Sequence, residues 1–183
     1  MAYKIALTGG IGTGKTYLSK HFVEMGVPVF YADDEAKKLY RETKFLQELA
    51  NCFGPEILDN AGQLNFKKFS GIIFSNEDNL RKINELVHPK VMELFENWMN
   101  AQSAQAVMME SAVIFEGGLE SFFDKIIVAD APVELRIKRI LARNPELSRE
   151  EILQRMARQL PQEEKCRRAD LVVCTGETYR ESR

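Results

Sequence analysis

The run Gly9-Gly10-Ile11-Gly12-Thr13-Gly14-Lys15-Thr16 constrains this chain more than any other part of it. Glycines at the first and sixth positions, followed by lysine and threonine, have the spacing of a phosphate-binding P-loop. The context also fits. Lys4-Ile5-Ala6-Leu7-Thr8 is short and apolar, as a buried strand should be, and Leu18, Phe22 and Met25 then share one helical face. A glycine-rich turn with an incidental lysine is the competing reading, and the strand and helix around the loop argue against it. Glycines allow successive backbone N–H groups to surround a phosphate, and the positive end of the following helix adds to the attraction. The pattern therefore assigns Gly9, Gly10, Ile11, Gly12, Thr13, Gly14, Lys15 and Thr16 to a nucleoside triphosphate. Lys15 would reach the β- and γ-phosphates, and the Thr16 hydroxyl would ligate Mg²⁺.

The rest of the chain fits an α/β fold around that loop. The first helix should run from Gly14 to Met25 and stop at Gly26. A second strand, Val27-Pro28-Val29-Phe30, leads into Tyr31-Ala32-Asp33-Asp34 and completes a βαβ unit, whose connection should be right-handed. Helical signals then dominate. Phe45, Leu46, Leu49 and Phe53 share a face, Gly54-Pro55 ends that helix, and Asp59-Asn60-Ala61-Gly62 forms a turn. Ser75-Asn76-Glu77-Asp78 reads as a capping box in which the serine oxygen accepts from the backbone. Pro89 splits the helical stretch after that cap into two helices or kinks one. Strands resume at Ala106-Val107-Met108-Met109, ending in Glu110, and at Lys125-Ile126-Ile127-Val128-Ala129. A helix starts at Pro132, another is capped by Ser148-Arg149-Glu150-Glu151 and reaches about Leu160, and Leu171-Val172-Val173 is a last strand. The expected fold is a P-loop NTPase, three-layer αβα, with a mostly parallel five-stranded sheet in one domain over residues 1–183. A helical insertion should span about residues 34–105.

Composition narrows the function. With 25 basic and 27 acidic residues the formal charge is −2, so no strong field favours nucleic acid or membrane surfaces. The three cysteines are odd in number and widely spaced, with no zinc pattern, and read as free thiols. No signal-peptide pattern opens the sequence and no apolar run approaches a membrane span, so the expectation is a cytoplasmic protein. Nothing in the composition selects an oligomeric state.

Two carboxylates stand at strand ends. Asp33 lies at the carboxyl edge of the sheet, where ligands of open α/β folds bind, and could take a proton from an acceptor hydroxyl. It could equally, with Asp34, cap a helix beginning at Glu35. Glu110 ends the third strand, where P-loop enzymes often keep an acid near Mg²⁺, directly or through water. No Asn-Lys-x-Asp guanine reader occurs, and the fourth strand runs into Asp130-Ala131-Pro132 instead of a switch motif. That argues against a GTPase.

Beyond the loop, an ordered set of motifs is similar to that of dephospho-coenzyme A kinases. Leu7-Thr8-Gly9-Gly10-Ile11-Gly12 resembles the opening of that family. Ala32-Asp33 with Ala36 resembles its Asp-Ala-Asp-x-x-Ala segment, Phe53-Gly54 with Asn60, Gly62 and Leu64 its FG…G motif, and His88-Pro89 its HP pair. Ile114-Phe115-Glu116 with Gly118 looks like the end of its PLLFE segment. Lys138-Arg139, Arg143, Gln159 and Ala169-Asp170 come after it in order. The sequence departs from the pattern at Tyr31, which replaces the first aspartate, at Asn65-Phe66, and at Ala112-Val113. The family also carries a C-terminal helix past the last strand, where this sequence has residues up to Arg183.

The resemblance implies ATP-dependent phosphorylation of the ribose 3′-hydroxyl of dephospho-coenzyme A, with Mg²⁺. Asp33 becomes the general base, and Lys15 and Arg139 share the catalytic set. Arg143 joins the ATP site, and Thr8 and His88 join Asp33 on the acceptor side, His88 reading equally as a structural histidine. The helical insertion becomes the acceptor-binding lobe, and residues of about 143–161 become a lid closing over ATP. Arg149, Arg155 and Arg158 read as solvated charges. A nucleoside monophosphate or shikimate-type kinase is the nearest alternative. A non-catalytic nucleotide-binding module is the other, against which Asp33 and the lid arginines count.

Overall fold

The apolar runs flanking the glycines become neighbouring strands of one sheet. The structure is a computed structural model that describes residues 2–176. Five strands form where strands are expected, with slightly shifted bounds: Tyr3–Thr8 (β1), Val29–Tyr31 (β2), Ala106–Glu110 (β3), Lys125–Asp130 (β4) and Leu171–Cys174 (β5). All pairings are parallel and the order is β2-β3-β1-β4-β5. Parallel strands need crossover connections, and these put helices over the sheet faces. Both faces are accordingly apolar and buried. Leu7, Met108, Ile127 and Ala129 pack with Leu18 and Phe22 of the first helix, Lys15–Glu24 (α1). On alternate positions Ala6, Val107, Met109, Ile126 and Val128 are also buried. The three-layer α/β fold is the one expected.

Two compact units divide the chain, one built from residues up to Tyr31 and from Trp98 onward, the other from Ala32–Asn97. The second unit holds Ala32–Leu39 (α2), Thr43–Phe53 (α3), Phe66–Phe74 (α4) and most of Glu77–Asn100 (α5). Its core is aromatic: Phe53 meets Phe69 edge-on at 5.7 Å, and Tyr40 packs on Phe45 and Phe69. The first unit continues with Val133–Arg143 (α6), Arg149–Ala157 (α7) and Gln162–Arg168 (α8). Among the described residues no helix is long and apolar enough to cross a membrane.

Several boundaries differ from the sequence reading, each for a local reason. α2 starts at Ala32, directly after β2, so Asp33 and Asp34 lie in its first turn and do not cap a helix from Glu35. Ser75 does not cap α5. Its hydroxyl donates to the Ile72 carbonyl at 2.9 Å, and Asn76 Oδ1 accepts from the Asp78 N–H at 2.7 Å. α5 is one helix through Pro89, which forfeits one backbone bond while Val87 and Val91 on either side stay buried. α7 ends at Ala157, short of Leu160, although its Ser148/Glu151 capping box is complete. The sequence reading contains neither α4 nor α8: Ser70-Gly71 interrupts one with poor helix formers, and the other has no apolar stripe.

Candidate active site

The P-loop leaves β1, the middle strand of the five, and turns into α1 at Gly14. Gly14 has φ +92°, a left-handed conformation other residues adopt at a cost, and a Cβ there would press on Thr175 Oγ1 at 3.0 Å. The first turn of α1 has no acidic residue and no side-chain cap. Its first-turn N–H groups and positive dipole end are thus arranged for an anion. Thr13 Oγ1 donates to the Gly10 carbonyl at 2.8 Å, closing the loop on itself. Lys15 Nζ donates to the Gly9 carbonyl at 2.9 Å and the Gly10 carbonyl at 3.4 Å, which holds the ammonium over the loop.

Arg139, on α6, reaches the same loop. Its guanidinium donates to Thr175 Oγ1 at 2.8 Å, to the Thr175 carbonyl, and to the Gly12 carbonyl at 3.5 Å. Thr175 in turn donates from its hydroxyl to the Thr13 carbonyl. Arg143 is the last residue of α6 and is exposed. Arg149, read as a solvated charge, forks onto both Glu134 oxygens, at 2.8 and 2.5 Å.

Glu110 is buried at the end of β3, level with Leu7 of β1 and Tyr31 of β2. Ser19 Oγ lies 3.5 Å from its carboxylate, 3.3 Å from the Tyr31 hydroxyl and 3.1 Å from the Thr16 carbonyl, so one serine joins α1 to both strands. A hydroxyl on Thr16 and a carboxylate on Glu110 are oxygen donors suited to a hard cation. Among the described residues no group of three or more His, Cys, Asp or Glu side chains could hold a metal alone. Such a donor set fits Mg²⁺, which takes several ligands from phosphates and water. Thr8, just ahead of the loop, is fully buried and its Oγ1 has no hydrogen-bond partner. An unsatisfied buried hydroxyl costs about 1–3 kcal/mol.

Asp33 and His88 belong to the second unit. Asp33 is the second residue of α2, exposed, two residues past the end of β2. Lys37 holds its proton more tightly than usual, through its hydrogen bond to Asp34 and then, against a desolvation cost, the charges of Asp34 and Asp33. His88 is half-buried on α5, and burial pushes its pKa down, which leaves a neutral ring at pH 7.

Four residues at the loop are not identified from sequence as its supports. Arg136 on α6 is buried and donates from Nε to the Ile11 carbonyl at 2.9 Å. Burial lowers its pKa, opposed by the charges of Asp130 and Glu163, and a guanidinium stays protonated regardless. Its signal is a charge on the apolar stripe of Ile137 and Ile140. Thr175, Gln159 and Gln162 complete the four. Gln159 is a family position to which the sequence attaches no role, and Gln162 has no signal. Glu116, in the segment after β3, accepts from the Leu160 N–H at 3.0 Å and pairs at 2.7 Å with fully buried Lys165.

Sheet order, loop and open helix end together define a P-loop nucleotide-binding protein. Comparison with known proteins narrows the class. The family model described as dephospho-CoA kinase matches residues 3–180. The dephospho-CoA kinase of Fusobacterium nucleatum is 34% identical over 92% of this chain and 87% of its own length. That of Deinococcus radiodurans is 39% identical over 93% and 82%. The crystal structure of TT1252 from Thermus thermophilus superposes with TM-score 0.86 at 32% identity, covering 95% of this chain and 88% of that one. Shikimate kinase from Acinetobacter baumannii, at 17% identity and TM-score 0.54, covers 98% of this chain and 86% of its own and shares the fold. The chain belongs to the dephospho-CoA kinase family.

Proposed function

We propose that this chain transfers the γ-phosphoryl group of ATP to the 3′-hydroxyl of the dephospho-coenzyme A ribose, giving coenzyme A. One observation carries the reading: an intact P-loop opening an uncapped, acid-free helix, in a chain that the family model matches over residues 3–180. The loop from Gly9 to Thr16 would cradle the phosphates, apart from the Gly10 and Ile11 amides, which donate to glutamine side chains, with Lys15 on the β- and γ-phosphate oxygens. Bound Mg²⁺ would offset charge on the β- and γ-phosphates, held by the Thr16 hydroxyl and, directly or through water, by Glu110. Arg139 and Arg143 on α6 would supply positive charge for the transferred phosphoryl and the ATP phosphates, and the segment of about residues 143–161, which contains α7, would act as a lid.

Asp33 is the proposed general base. It accepts the 3′-hydroxyl proton as that oxygen bonds to the γ-phosphorus and the bond to the β,γ-bridging oxygen breaks, releasing ADP. Its place just past a strand end in a parallel sheet supports this role. The helices following β2 would carry the acceptor, with His88 as a neutral contact. Thr8, whose buried hydroxyl lacks a partner, is proposed to meet the same substrate. Both substrates are small molecules, and the near-neutral charge is consistent with a cytoplasmic enzyme that uses neither nucleic acid nor membrane as partner.

The test is acceptor-dependent turnover. Intact protein with ATP and Mg²⁺ should convert dephospho-coenzyme A to coenzyme A and leave shikimate and AMP unmodified. Faster phosphorylation of shikimate or AMP would overturn the acceptor assignment. ATP binding without transfer to any of the three would favour a non-catalytic module.

A further inference from the structure

Ile11 is held at every part by residues outside the P-loop. Its N–H donates to Gln159 Oε1 at 2.8 Å, its carbonyl accepts from Arg136 Nε at 2.9 Å, and its side chain packs on the Ile137, Ile140 and Ile152 cluster of α6 and α7. The preceding amide is held in the same way: Gly10 N–H donates to Gln162 Oε1 at 2.9 Å. The other end of that side chain is committed too. Gln162 Nε2 donates to the Ala129 carbonyl at 2.9 Å and to Asp130 Oδ1 at 3.0 Å, and this sets which face of the amide meets Gly10. The fit leaves no room. A Cβ on Gly10 would lie 2.5 Å from Arg136 Nη2 and 3.1 Å from Gln162 Oε1.

Both glutamines lie in one short stretch, Gln159-Leu160-Pro161-Gln162, the first in the connector after α7 and the second opening α8. Two consecutive loop amides thus find their acceptors on a single distant stretch of chain, and that stretch is itself tied down. The Leu160 N–H donates to Glu116 Oε1 at 3.0 Å, and Glu116 pairs with Lys165, which donates to the Ala112 carbonyl at 2.7 Å. The proposed phosphoryl transfer uses neither glutamine.

We infer that Gln159 and Gln162 are positioning residues of the phosphate loop, whose side-chain carbonyls hold the Gly10 and Ile11 amides and thereby set nucleotide affinity. The glutamines act on the donor through the loop backbone. The inference rests on the phosphate-binding reading of the loop and is independent of the acceptor's identity.

Gln159→Met keeps side-chain length and removes the acceptor for Ile11, and Gln162→Met does the same for Gly10. Each should raise KM for ATP and Kd for ADP about tenfold, the worth of one well-made hydrogen bond. KM for dephospho-coenzyme A should stay within about twofold, as for a change confined to donor binding. Gln159→Glu restores an acceptor oxygen and should return slow hydrogen exchange to the Ile11 amide that Gln159→Met accelerates. In the unsubstituted protein without nucleotide, the Gly10 and Ile11 amides should exchange as slowly as those of β1, a readout that needs no variant. Fast exchange there would overturn the inference. So would Met variants that lower Tm while ADP affinity is unchanged, because that is the signature of a merely structural contact. Calorimetric ADP binding uses no acceptor, so a failed acceptor assignment and a failed positioning role give different results.

Discussion

Helices α1 and α2 each follow a strand of the same parallel sheet and begin in opposite chemical ways. α1 opens on a left-handed glycine with no acid in its first turn, and α2 opens with Asp33, Asp34 and Glu35. Both ends present orphan N–H groups and a positive dipole. At α2 the chain's own carboxylates stand against the dipole, and two of them pair with Lys37 and Lys38 at 2.7 and 2.6 Å. At α1 the answer is left to a ligand. The contrast teaches that a helix end becomes an anion site by withholding carboxylates as much as by supplying glycines. The same geometry with carboxylates added offers proton acceptors instead.

Substitutions can break or sharpen this contrast. The largest effect should come from Asp33→Asn, which removes the proposed proton acceptor from the acidic turn. We expect kcat to fall about 10²- to 10⁴-fold with ADP affinity retained, and an unchanged kcat would end the general-base role. Lys15→Ala, at the open turn, should lower transfer by about 10²-fold while Tm stays near that of the parent. If both variants lost ADP affinity equally, the two helix ends would not divide the labour as proposed. Asp34→Asn sharpens the comparison from the other side. It removes one first-turn carboxylate beside Asp33 and an exposed pair, so Tm should drop by about 1–3 °C with kcat within about twofold. A large loss of kcat would move the proton acceptor to Asp34.

The smallest effect lies away from both helices. Asp170 accepts from Lys125 Nζ and from the Ile126 N–H, both at 2.8 Å, at the start of the β4–β5 pairing. The Lys125 hydrogen bond first, then the backbone one, hold its carboxyl below the usual range. A depressed folded pKa contributes stability that is present above the unfolded value, about 3.9, and lost as pH falls through the folded one. Asp170→Asn should therefore lower Tm at pH 7 by about 1–2 °C, discounted for exposure, and the difference should close below about pH 4. A gap that kept its full pH 7 size as the pH fell below the unfolded value would assign the effect to shape instead of charge.

How much of the molecule is legible in its sequence depends on how local each signal is. The P-loop occupies one contiguous run, and the Ser148/Glu151 cap needs only residues three apart, so both stand out in a linear reading. The start of α2 escapes such a reading because its three acids suggest a cap when they form the first turn itself. The supports of the loop are hidden for a different reason. Arg136 meets Ile11 across 125 positions and Gln159 does so across 148, and no periodicity announces such partners. Lys165 is the extreme case: a lysine in a polar helix is ordinarily read as solvated, yet this one is fully buried because the Ala112 carbonyl and Glu116 await it. Thr8 stands out in the sequence only as part of a family pattern, and its unpartnered hydroxyl is a property of the packed sheet.

The central place of β1 has a mechanical meaning for the loop it carries. β1 is laced to β3 on one side and β4 on the other, whereas β2 and β5 are the edges, where fraying begins. A loop rooted in the middle of the sheet cannot drift with a peeling edge strand. To loosen its stem, the fold would have to part along its centre line. The phosphate-binding end of the molecule is therefore moored to the strand that should let go last.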